Sequence, residues 1–238
     1  MVFARKFTCV LGAAAALLLS ACGPQEPRTE AAGPAVRRLT EAQYRNIVAD
    51  LFGAHIIVSG RFDPLPRTNG LSTVAAWTAR VTPAGMEQFD RMARSIAEQV
   101  VSPANRNVLV PCKPADAAKA DTACATQFFT KVGRMLVRHP MPPSQVEAAV
   151  HFANQGAETF GDFYRGLGFG LTSLLVSPSF LYIIDTVEPN KTGGAQLNAY
   201  AKASRLSFLL WNSSPDDAQL TAAEKGELDT SSGVKRQV

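Results

Sequence analysis

Apolar positions recur every three or four residues in several stretches of this chain, and each stretch is bounded by residues that start or stop helices. Tyr44, Ile47, Val48, Leu51 and Phe52 share one helical face. Thr40 stands ahead of them as an N-cap and Gln43 completes a capping box. Leu39 and Tyr44 are placed for a hydrophobic staple, and Gly53 closes the segment. A second stripe, Met86, Phe89, Met92, Ala93, Ile96, Ala97 and Val100, follows Thr82-Pro83 and reads as core rather than a cofactor box. A third helix, Thr122 to Val137, turns Cys124, Phe128, Phe129, Val132, Met135 and Leu136 inward and stops at His139-Pro140. After Pro142-Pro143 another begins, burying Val146, Ala149, Val150, Phe152 and Ala153. Residues 55–80 break the pattern with Gly60, Pro64, Pro66, Asn69 and Gly70. They predict a long, packed, irregular loop with short strands at 56–58 and 74–77.

The chain is organised around residues 162–220. Phe163, Leu167, Phe169, Leu171, Leu174, Leu175 and Val176 make a helix apolar nearly all round, which predicts burial. Gly166, Gly168 and Gly170 lack the preceding strand, the spacing and the following acid of a dinucleotide loop, so close helix approach is their expected use. Ser177-Pro178-Ser179 makes a corner, Phe180 to Ile184 continue apolar to Asp185, and Gly193-Gly194 forms a loop. A second amphipathic helix runs from Leu197 to Trp211, and Pro215-Asp216-Asp217 starts a third. The expected fold is all-α, an irregular multi-helix bundle with a long irregular loop after the first helix. It divides into helical regions at 37–110 and 111–190 and the start of a further helical region at 191–238, where the pattern from Gly226 reads as continuing past the last residue.

The first 21 residues read as a lipoprotein signal peptide. Arg5 and Lys6 give the positive start, Val10 to Leu19 the apolar run, and Leu19-Ser20-Ala21-Cys22 the cleavage box. The run is about half of what a membrane span needs. The box matches the bacterial lipobox pattern, so Cys22 is the expected lipidation site, and acyl chains there would anchor the chain stably. Similarity to bacterial lipoproteins, with Gly rather than Asp at position 23, favours outer-membrane sorting on the periplasmic face or the surface. Residues 22–36, rich in Pro and Gly, read as a solvated tether. Removing Arg5 and Lys6 brings 24 basic residues to 22 against 20 acidic, too balanced for a nucleic-acid partner.

Chemical signals are sparse. Cys112 and Cys124 are the only cysteines left once Cys9 goes with the leader and Cys22 is acylated, and an oxidising compartment predicts a disulfide between them. A metal site with His139 and His151 is the alternative, but C-x11-C-x14-H-x11-H fits no zinc pattern. His139, ahead of Pro140, reads as a helix-end cap sooner than a catalytic group. Asp185 and Glu188 read as a solvated helix end sooner than a carboxylate pair. No CxxCH, HExxH, GxSxG, P-loop or EF-hand sequence occurs, so no catalytic residue, no metal and no cofactor in this chain are expected.

Three stretches carry a family resemblance: residues 37–53, RRLTEAQYRNIVADLFG; residues 174–182, LLVSPSFLY; and residues 200–217, YAKASRLSFLLWNSSPDD. They resemble the planctomycete-type, cytochrome-associated domains of unknown function numbered 1587, 1595 and 1592 in that series. The resemblance implies extracytoplasmic company with cytochrome modules, and hence a fragment or subunit of an oxidoreductase acting on complex organic matter. The absent haem motif favours instead a lipid-anchored binding or accessory module with partners in the cell envelope.

Overall fold

The computed structural model describes residues 36–65, 80–190 and 193–238. The leader, Cys22, the tether up to residue 35 and the strand expected at 74–77 lie outside the described residues. Along the chain run β1 (Val36–Arg38), α1 (Glu41–Phe52), α2 (Pro83–Val100), α3 (Arg106–Leu109), α4 (Thr122–Val137), α5 (Pro143–Phe160), α6 (Phe163–Leu175) and α7 (Pro178–Leu181). Then come β2 (Tyr182–Ile184), β3 (Val187–Pro189), β4 (Ala195–Leu197), α8 (Ala199–Leu210), α9 (Asp217–Glu224), a 3-10 turn (Glu227–Asp229) and α10 (Ser231–Arg236). The fold is mostly helical, with two small antiparallel strand pairs. Among the described residues, no helix is long and apolar enough to cross a membrane.

Most helices start where their caps require. Thr40 accepts from the Gln43 N–H at 3.2 Å while the Gln43 side chain accepts from the Thr40 N–H at 3.0 Å, closing the capping box of α1. Thr82, Asp121, Asp162, Asn198 and Asp216 cap α2, α4, α6, α8 and α9 in the same manner. One apolar core runs from Leu39 to Phe208, with Tyr44, Phe89, Phe128, Phe129, Phe163, Leu167, Leu171 and Phe180 buried at its centre. Phe152 and Met86 depart from expectation: Phe152 is 41% exposed, its ring against Phe169, and Met86 is 40% exposed at the start of α2.

The glycines of α6 serve packing. A Cβ on Gly166 would fall inside contact distance of the Ala153 carbonyl and the Ala157 backbone of α5. One on Gly170 would sit 2.7 Å from the Ala149 carbonyl. The two helices therefore meet backbone to backbone, and Gly156 of α5 reciprocates against the Gly166 Cα. Cys112 and Cys124 are disulfide-bonded, Cα to Cα 5.6 Å, tying the loop after α3 to the first turn of α4. In the chain-entropy account, a closed loop of this size contributes roughly 2–3 kcal/mol.

Two local expectations change. Residues 56–58 form no strand, because the side-chain amide of Gln99 takes the partner's place. Its Oε1 accepts from the Ile57 N–H at 2.8 Å and its Nε2 donates to the Ile57 carbonyl at 2.9 Å. The apolar run after Ser177 turns extended at Tyr182, and β2 pairs with β1, Val36 opposite Ile184.

The end of α4 is held by a buried cation. Arg138, not His139, caps this helix, in a left-handed conformation with φ 67°. Its guanidinium donates to the carbonyls of Leu136 (2.9 Å), Phe180 (3.2 Å), Ser179 (2.6 Å) and Tyr182 (2.7 Å). Burial lowers its pKa to about 9, with the charge of Arg37 pushing the same way. The group is therefore charged at neutral pH, and the carbonyls replace its water. His139 lies beside it, Nδ1 2.8 Å from the Pro140 carbonyl and its ring edge-on to Tyr200.

Replacing Gly166 with Ala is expected to cost roughly 2 kcal/mol or more in urea unfolding, because the new methyl meets backbone that cannot yield. Gly168→Ala, which meets the Val101 side chain at 3.3 Å, is expected to be neutral or stabilising. Arg138→Met, which strands four carbonyls, is expected to lose roughly 3–5 kcal/mol by the same measurement.

Candidate functional site

On α1, Asn46 and Asp50 stand four residues apart and so project from one face. The chain leaving α8 reverses at Asn212, whose left-handed φ of 54° permits the turn. It then runs across that face: the Asn46 amide donates to the Asn212 carbonyl at 3.2 Å, and the Ser213 hydroxyl donates to Asp50 Oδ2 at 2.6 Å. Pro215 is buried, and Asp216 opens α9 by accepting from the Gln219 N–H at 2.8 Å. Between these elements lies a cleft of about 490 Å³, walled by Ile47, Leu51, Met135 and Trp211 with Asp50, Ser213 and Ser214 on its polar side.

The polar side of this cleft is built from two serines and an aspartate. Ser213 is fully buried and committed to Asp50. The Ser214 hydroxyl is buried with no hydrogen-bond partner among the described residues. No histidine is among the residues that line the cleft. An aspartate acceptor, an unpaired hydroxyl and a half-exposed indole offer hydrogen bonds and a stacking surface. Arg134 of α4 fixes the far wall by bonding Asp217 at 2.7 Å and Glu224 at 3.0 Å, one residue at each end of α9.

The sequence-derived candidates fall elsewhere. Cys112 and Cys124 form their disulfide away from this cleft. His139 and His151 line two different clefts, so they do not come together as metal ligands. Among the described residues, no group of three or more His, Cys, Asp and Glu side chains is placed to hold a metal. Asp185 is not a solvated helix end. It is buried, with Oδ2 bound by Arg205 Nε at 3.1 Å and Nη2 at 2.9 Å, while Glu188 accepts from Gln196 across β3 and β4. Asp216 and Asp217 do start a helix, as expected. The pairing of Asp50 with Ser213 was missed, and the only trace of it in sequence is two polar residues four apart on an otherwise apolar helix face.

A mostly helical, disulfide-bearing protein with a cleft of mixed polar and apolar lining is the class that fold and site define. Residue by residue the chain is matched by three families. Residues 37–102 match PSD3, residues 124–185 match PSD5 and residues 197–238 match PSD4, described as proteins of unknown function DUF1587, DUF1595 and DUF1592. No curated protein and no solved structure matches the chain. All three matched segments wall the cleft: Asn46 and Asp50 come from the first, Met135 from the second, and Trp211 to Gln219 from the third.

Ser213→Ala and Asp50→Ala are each expected to lower unfolding free energy by roughly 1–2 kcal/mol. The double variant should lose less than the sum of the singles, since the two groups share one bond. Strict additivity in a urea-unfolding cycle would show that the bond contributes nothing.

Proposed function

We propose that the protein is a lipid-anchored, extracytoplasmic binding or accessory module of a cell-envelope assembly, attached through Cys22 and sorted to the outer membrane, with the α1–α9 cleft as its docking site. The observation that carries this reading is the apolar run at the cleft's rim. Leu209, Leu210 and Trp211 are 80%, 43% and 50% exposed in succession, and Trp211 lines the cleft. Exposed apolar side chains grouped beside polar acceptors fit a protein partner. The lipobox supports the attachment and supplies the compartment in which Cys112 and Cys124 oxidise.

Cys22→Ala is expected to move the protein from the membrane fraction of its host to the soluble fraction; unchanged partitioning would refute the anchor. A photo-cross-linking residue at position 210 should yield a discrete adduct with an envelope protein, and one at Val108, which is exposed elsewhere, should not. Equal labelling from both positions, or none from 210, would remove the cleft from this role.

A further inference from the structure

A second cleft, of about 490 Å³, lies between α2 and α6 on residues that the α1–α9 site does not use. Its floor is Ala97, Val101, Gly168 and Phe169, and its walls carry two arginines placed over aromatic rings. The Arg106 guanidinium carbon sits 4.2 Å above the Tyr164 ring, and that of Arg165 sits 4.2 Å above the Phe160 ring. Stacking of this kind fixes the plane of a guanidinium and leaves its N–H edge pointing outward.

Neither arginine has a carboxylate partner among the described residues, which sets them apart from the cations around them. Arg94, at the same cleft, is bound to Asp90 at 2.8 Å, and Arg45, stacked on Phe62, is bound to Glu41 at 2.8 Å. The acids lining the cleft are already engaged or balanced. Asp162 caps α6 by accepting from the Arg165 N–H at 3.0 Å, and Glu98 lies within electrostatic reach of Arg94. Two guanidinium groups without ion-pair partners among the described residues thus line a cavity that also presents Ala97, Val101 and two phenylalanine rings. Phe160 and Phe169 are 44% and 38% exposed there.

We propose that this cleft binds a small organic carboxylate with an apolar body. The planar fork of a guanidinium matches a carboxylate edge, and the phenylalanine rings with the Val101 floor take the hydrocarbon part. The volume lies in the range of small-molecule sites. A single negative charge suits two cations with Asp162 nearby, whereas inorganic phosphate would face the two acids and leave the rings uncovered.

Isothermal titration of 1-naphthoate into the purified full-length chain, against a detergent-matched blank, tests this. One site per chain is expected, weakened about tenfold by Arg106→Gln and again by Arg165→Gln. 1-Naphthalenemethanol, which keeps the rings and lacks the charge, should bind wild-type protein at least about tenfold more weakly. Inorganic phosphate should not compete. The proposal is overturned if naphthoate gives only the blank heat, if the neutral alcohol binds as well, or if phosphate binds as tightly as naphthoate. It is equally overturned if the double variant binds like wild type. The comparison of naphthoate with the alcohol uses wild-type protein alone, so it decides even where a variant fails to fold.

Discussion

A helix that ends in the core leaves its last carbonyls without partners, and water cannot reach them. Here α4 ends that way, and the side chain of its own C-cap, Arg138, turns back to supply the donors. The guanidinium reaches beyond the helix to the carbonyls of Ser179, Phe180 and Tyr182, so one group joins the end of α4 to the α7 corner and to the start of β2. That corner carries the rest: Leu39 donates to the Leu181 carbonyl at 2.9 Å, and β1 lies along β2. The direction in which α1 sets off, and so the position of Asn46 and Asp50, follows from where Arg138 places Tyr182.

From that fixed frame the two clefts arise in different ways. The first is made by a turn that crosses α1 and is held by polar bonds to it, with Arg134 bracing the helix beyond. The second is made by glycine: α6 draws close enough to α5 through Gly166 and Gly170 that Gly168, on its other side, lets the floor open against Val101. Asp185 illustrates the cost of such interior charge. Arg205 binds one of its oxygens, and the other is buried without a partner among the described residues. A buried carboxylate of this sort is held in place by its surroundings rather than stabilising them.

The helices were legible because their information is local. Thr40 and Gln43, Thr82-Pro83, and the stripes from Tyr44 to Phe52 and from Met86 to Val100 need no knowledge of distant residues. The packing role of Gly166 and Gly170 was legible for the same reason, since glycine in an apolar helix has few other uses. What could not be read was set by partners far along the chain. Arg138 looks like any surface cation at a helix end until the carbonyls of residues 179–182 surround it. Asp50 finds Ser213, and Ile57 finds the amide of Gln99, which replaced an expected strand. Strands of three residues such as β1 and β2 carry too short a pattern to announce themselves, and Arg37-Arg38 disguised one of them.

The pairing of β1 with β2 also sets a timetable. A chain made or threaded from its N-terminus exposes Val36 to Arg38 as a lone edge long before Tyr182 to Ile184 exist to meet it. Until they arrive, Tyr44 has Phe62 and Phe89 to pack on but lacks Phe180, and the edge of β1 is unpaired. Closure of the β1–β2 pair therefore waits on residues in the last third of the chain.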